Sequence, residues 1–138
     1  MHLKYLTDYQ LSNKMVMLRV DMNVPIDKGI ILNQERIDRC LPTIKFILEQ
    51  TDKLILISHL GRPEETNKVQ EGFSLRPVAK YLEQSLSRPI VLRNSLDDLQ
   101  KDNKDVVMLE NIRFFKGEKS NDSKLAKKLA KLCDIFIL

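Results

Sequence analysis

The stretch KLILISHLGRP, residues 53–63, decides how this chain is read. Leu54 to Ile57 are apolar without alternation, the mark of a strand buried on both faces, as in a parallel sheet covered by helices. The run stops at Ser58 and gives way to His59, Gly61, Arg62 and Pro63. A stiff strand thus delivers a histidine and an arginine to one end of a sheet, on a loop shaped by glycine and proline. In open α/β sheets, ligands sit outside the carboxyl ends of the strands.

Working outward, other apolar runs behave the same way. Met15–Val20, interrupted only by Arg19, predicts a buried strand that runs out into Asp21, Met22, Asn23, Val24 and Pro25. Val106–Leu109 predicts another, with Glu110, Asn111, Arg113 and Phe114 at its exit. Ile90–Leu92 after Pro89 and Ile135–Leu138 complete the strands. Between them lie helical patterns. Ile37, Cys40, Leu41, Ile44, Ile47 and Leu48 form one apolar stripe behind a capping Asn33, with spacing i, i+3, i+4, i+7. Pro42 inside that stripe either kinks the helix or marks a restart, and the pattern leaves both open. Ser74 predicts a helix start with Pro77 in the first turn and Leu75, Val78, Ala79, Leu82 and Leu86 on one face. A last helix starts near Ser120–Asp122 and carries Leu125, Ala126, Leu129, Leu132 and Cys133 on its apolar face. Its other face holds Lys124, Lys127, Lys128 and Lys131, as a solvated face does. Residues 1–10, 64–72 and 94–104 read as polar connections, the last with room for a helical turn, and Asp27-Lys28-Gly29 is a turn signal. Strands alternating with amphipathic helices indicate an α/β fold. The expectation is a three-layer, Rossmann-like parallel sheet with helices on both faces.

Composition narrows the function classes. The chain has 138 residues, one domain by length, and is 43% hydrophobic and 30% charged, as ordinary globular proteins are. No apolar run nears the roughly 18 residues of a membrane span. MHLKYLTDYQ (1–10) has no apolar segment of the secretory kind. The expectation is a cytoplasmic protein without membrane attachment, with Cys40 and Cys133 as reduced core thiols. The histidines are His2 and His59 and no close Cys/His cluster exists, so no metal site is expected. The net charge of +4 is spread over 23 basic residues interleaved with 19 acids. That dispersal argues against nucleic acid and suits attraction of a small polyanion. Phosphate-loop motifs are missing, and four glycines make no Gly-rich cradle.

Three strand exits carry the unusual groups: Asp21 with Asn23, His59 with Arg62, and Arg113. Arg36, in the first turn of its helix, stands where a cation is unfavourable to the helix dipole, which points to an anion. Guanidinium forks suit carboxylates and phosphates. Asp21 would repel an anion unless it faced a hydroxyl, so a ligand with both anionic and hydroxyl groups fits this set. The alternative is a non-catalytic module using the same rim for another anion or for nucleic acid.

The stretches RVDMNVP (19–25), QERIDRCLPTIKFILEQ (34–50), SHLGRP (58–63), SLRPVAKYLE (74–83) and ENIRFFKGE (110–118) closely resemble the N-terminal domain of phosphoglycerate kinases. The resemblance runs from about Leu11 to the last residue in matching order and spacing. It implies a glycolytic, hinge-bending kinase of two domains. The first binds 3-phosphoglycerate or 1,3-bisphosphoglycerate in a basic patch, and the second binds Mg-ADP or Mg-ATP. By position, Asp21 and Asn23 match the substrate-contacting pair, with Asp21 facing the glycerate hydroxyl. His59 and Arg62 match the basic loop, and Arg113 matches a phosphate-binding arginine. Arg36 matches the arginine that stabilises the phosphoryl group in transfer. Met22, Leu60 and Gly61 lie inside the same substrate-binding motifs. Phe115 and Met22 stand where histidine or tyrosine, and phenylalanine, are common. Residues 1–138 are therefore expected to be a partial N-terminal phosphoglycerate-binding domain, with the nucleotide-binding domain and its Mg-nucleotide absent. Such a domain is expected to be inactive alone, and to self-associate through an exposed last strand although the family is usually monomeric.

Overall fold

The computed structural model describes residues 4–99 and 106–138. His2 and the 100–104 part of the expected polar connection lie outside them. In chain order the elements are β1 (Val16–Arg19), β2 (Ile26–Asp27), β3 (Ile30–Ile31), α1 (Glu35–Leu48), β4 (Leu54–Ile57), α2 (Arg76–Leu86), β5 (Ile90–Arg93), α3 (Leu96–Leu99), β6 (Val106–Leu109), α4 (Ser123–Ala130) and β7 (Ile135–Ile137). Five strands form one sheet in the order β5-β6-β4-β1-β7, and every pair in it is parallel. Lys28 and Gly29, both at positive φ, turn the β2–β3 hairpin, a shape that a two-residue loop of this kind requires.

Strand side chains alternate between the two faces, and here both faces are apolar. Val16, Leu18, Leu54, Leu56, Val106 and Met108 join Ile37, Ile44 and Ile47 of α1 and Val78 and Leu82 of α2 in one core. Met17, Ile55, Ile57, Val107 and Leu109 join Leu99, Ile112 and Phe114, flanked by Leu129, in the other. This is the three-layer α/β architecture expected from the non-alternating runs. It follows from burying both faces of each strand.

Several local expectations shift. β1 ends at Arg19, which therefore closes the strand rather than interrupting it. α1 runs unbroken through the exposed Pro42. Gln34 is its cap residue, while Asn33 Oδ1 accepts from the Glu35 amide at 2.9 Å. α4 stops at Ala130, so Leu132 and Cys133 lie beyond the helix that their spacing predicted. Both cysteines are free thiols and half-buried rather than core. Burial, helped by Asp21 for Cys40 and by Asp134 for Cys133, pushes each thiol pKa up. No helix among the described residues is long and apolar enough to cross a membrane.

Candidate functional site

Because β6, β4 and β1 are consecutive neighbours and run parallel, their carboxyl ends open onto one rim. The chain leaving β1 folds back on itself there. Asp21 Oδ1 accepts from the Asn23 amide at 3.1 Å, and Asp21 Oδ2 lies 3.3 Å from Arg36 Nη1. That guanidinium also donates to the Asn23 carbonyl at 3.1 Å. Met22 between them is fully buried, and its amide donates to Ser58 Oγ at 3.0 Å. Its side chain fills the core, so all it can offer a ligand is backbone.

The loop leaving β4 is tied to the same place. Asn23 Oδ1 accepts from the Gly61 amide at 3.0 Å, and the Gly61 carbonyl accepts from Arg113 Nη1 at 2.9 Å. Leu60, like Met22, is buried, but it lines the cavity at this rim. Arg62 is exposed and makes no ion pair among the described residues.

The exit from β6 is held by two buried polar residues. Glu110 is fully buried and accepts from Ser74 Oγ and the Leu75 amide, each at 2.6 Å, and from the Asn111 amide at 3.0 Å. The cap residue of α2 is Leu75 rather than Ser74, but Ser74 Oγ accepts from the Arg76 amide at 3.2 Å, so the serine that signals the helix start links α2 to Glu110. Asn111 Nδ2 donates to the carbonyls of Leu60 at 2.7 Å and Phe73 at 2.9 Å, while its Oδ1 accepts from the Arg113 amide. Buried polar groups satisfied this fully fix the backbone around them. Arg113 therefore emerges from a rigid base.

Charge on the rim is more balanced than a row of arginines indicates. Arg36 is paired with Asp21, and Glu118 lies 2.9 Å from Arg19 Nη2 and 3.7 Å from Arg113 Nε. His59 sits among these groups. Burial and the Arg113 guanidinium push its pKa below the ordinary 6.5, Asp21 and Glu118 pull it back, and Arg19 adds a smaller push down. A cavity of about 540 Å³ opens between the β1 exit, the start of α1 and the Gly61 loop, lined in part by Asn23, Arg36, Gly61 and Phe73.

The rim thus brings together Asp21, Asn23, Arg36, His59, Gly61 and Arg113, with Arg62 exposed on the same loop. The Met22 side chain is buried in the core, whereas Leu60, though buried, lines the cavity. The sequence alone gives Arg19, Asn111 and Glu118 no role at the site. An arginine closing an otherwise apolar strand was the available signal for Arg19; Glu118, 99 residues away, gave none. Among the described residues no group of three or more His, Cys, Asp or Glu could hold a metal ion. Gly29, Gly61, Gly72 and Gly117 lie in four separate segments rather than in one Gly-rich loop.

Comparison with known proteins follows the same line. The family model for phosphoglycerate kinase matches residues 6–138. Phosphoglycerate kinase of Legionella pneumophila (strain Lens) is 45% identical over 139 residues, covering 100% of this chain and 35% of the relative. That of Coxiella burnetii (strain RSA 493 / Nine Mile phase I) is 45% identical over 134 residues, covering 96% of this chain and 34% of the relative. The solved phosphoglycerate kinase from Coxiella burnetii matches with a TM-score of 0.84 at 44% identity, over 95% of this chain and 33% of that one. The enzyme from Pyrococcus horikoshii OT3 matches with a TM-score of 0.80 at 28% identity, over 97% and 36%. The chain spans about a third of the length of these relatives.

Proposed function

The chain belongs to the phosphoglycerate kinase family, and we propose that residues 1–138 are its phosphoglycerate-binding portion, taking 3-phosphoglycerate or 1,3-bisphosphoglycerate on the rim of β1, β4 and β6. The observation that carries this reading is the adjacency of three strand exits bearing Asp21 and Asn23, His59 and Arg62, and Arg113. Arg62 supplies a guanidinium fork for phosphate, and Arg113 adds the N–H groups that its bond to the Gly61 carbonyl leaves over. Asp21 offers an acceptor to the glycerate hydroxyl, and Asn23 and the Gly61 backbone shape the wall between them. The neutral His59 serves as a hydrogen-bond donor.

The reaction of this reading is phosphoryl transfer between an acyl phosphate and ADP. The P–O bond to the glycerate carboxylate breaks and one to the ADP β-phosphate forms, giving 3-phosphoglycerate and ATP. In reverse, the accepting carboxylate is already deprotonated, so the work is positioning and charge stabilisation. Arg36 takes the catalytic role of steadying the phosphoryl charge. To do so it must leave Asp21, an exposed pair of the kind that costs little to break.

The nucleotide half of the reaction has no place on these residues, so by themselves they bind phosphoglycerate and do not turn over. A cytoplasmic location and self-association through the edge strand β7, where Phe136 is 49% exposed, belong to the same proposal. The latter predicts a sedimentation coefficient that rises with concentration. Amide NMR titration tests the binding. Signals around Asp21, His59 and Arg113 are expected to move with 3-phosphoglycerate, and an unmoved set overturns the assignment. ATP formed above background from ADP and 1,3-bisphosphoglycerate would refute the inactivity.

A further inference from the structure

We infer that Glu118 is a positioning residue for this rim, aiming Arg113 at the ligand by holding the exits of β1 and β6 together. The inference rests on the phosphoglycerate reading of the site. The Glu118 side chain is 11% exposed and lies between two guanidiniums, with Oε1 2.9 Å from Arg19 Nη2 and Oε2 3.7 Å from Arg113 Nε. The carboxylate joins the exits of β1 and β6, and Arg113 Nη1, donating to the Gly61 carbonyl, carries the link on to the β4 exit. Arg113 Nε is buried and has no hydrogen-bond partner. The carboxylate therefore steers Arg113 by charge at close range, without the hydrogen bond that would lock it.

Glu118 is itself placed by a turn that only glycine fits. Gly117 has φ +101°, and a Cβ there would lie 2.7 Å from Asp122 Cβ. The Asp122 amide donates to the Gly117 carbonyl at 2.9 Å, and the Asp122 side chain caps α4. The start of α4 thus anchors the turn, the turn sets the carboxylate, and the carboxylate sets Arg113.

Charge and position predict opposite results, which makes the inference testable. Glu118→Gln removes a negative charge from an anion site, so field alone would tighten every anion. Loss of positioning instead weakens the ligand that needs Arg113 aimed, by about tenfold, the worth of one charge-assisted hydrogen bond. Wild type, Glu118→Gln and Glu118→Asp are titrated with 3-phosphoglycerate and with inorganic phosphate by NMR, following the Arg113 Nε–H resonance. The expected result is weaker 3-phosphoglycerate binding by Glu118→Gln with phosphate unchanged or tighter, a displaced Nε–H signal, and partial recovery in Glu118→Asp. Binding of 3-phosphoglycerate as tight as wild type or tighter, or an unmoved Nε–H signal, overturns the inference. Should Glu118→Gln not fold, Glu118→Asp, which keeps the charge and withdraws it by one methylene, reads the same ratio of affinities. If wild type itself ignores 3-phosphoglycerate, the proposed function fails and this inference falls with it; if wild type binds and Glu118→Gln binds equally well, only the inference falls.

Discussion

Gly61 has two independent reasons to be glycine. Its φ is +59°, and an added Cβ would meet the Phe73 ring at 2.8 Å. Gly61→Ala is therefore expected to cost about 2 kcal/mol in urea unfolding, from the left-handed backbone plus the displaced ring. The same change should weaken 3-phosphoglycerate, because the Gly61 amide and carbonyl tie Asn23 to Arg113. His59 makes a prediction about protons. Its folded pKa lies below the ordinary 6.5, chiefly through burial and then Arg113. On acidification the unfolded chain takes up the proton first. The stability tied to a neutral His59 is therefore full above pH 6.5, is lost as pH falls through the folded pKa, and changes no further below it. A bound anion favours the imidazolium. The His59 ring-proton titration should have its midpoint below 6.5 in the free chain and move upward with 3-phosphoglycerate, with His59→Gln identifying the signal.

At the scale of elements, the junction of β6 with α2 stands on Glu110. Glu110→Ala strands the Ser74 hydroxyl and the Leu75 and Asn111 amides, and should cost about 3 kcal/mol or more by urea midpoint. Glu110→Gln keeps an acceptor for both amides and should cost clearly less. Pro42 gives the opposite sign. It sits exposed inside an unbroken α1. There an interior proline costs about 3 kcal/mol, and its stiffening of the unfolded chain returns only up to about 1. Pro42→Ala should thus raise stability by about 1–2 kcal/mol. These elements also show how far the sequence was legible. β4 and β6 could be read to the residue, because burial on both faces leaves no alternative to an unbroken apolar run. α1 could be read as a stripe, but whether it survived Pro42 depended on packing of Ile37, Ile44 and Ile47 against the sheet, a tertiary effect. The exits with charged groups were visible one by one. Their adjacency is a matter of strand order, and the pairing of Arg19 with Glu118 is a contact across 99 residues that no local pattern encodes. Met22 and Leu60 stand in polar loops, yet are buried because those loops close over the core.

For the molecule as a whole, the net charge of +4 is dispersed, and the rim arginines are partly neutralised by Asp21 and Glu118. Recognition of a small polyanion should then depend moderately on salt. Going from low to about 0.5 M salt should weaken 3-phosphoglycerate by about tenfold, since exposed charges are screened within a few ångströms there. A much steeper dependence shared by DNA or RNA would favour a nucleic-acid module instead. The sheet order has one more consequence, which concerns time during synthesis. β1 lies between β4 and β7, and its pairing with β7 is sealed by Met15 and Asp134, 119 residues apart. A ribosome adding about 5–20 residues each second releases β4 roughly 80 residues ahead of β7. For several seconds the nascent chain therefore carries β1 with one flank paired and the other open to whatever strand arrives first. Translation speed across residues 58–134 sets how long that flank stays open to mispairing.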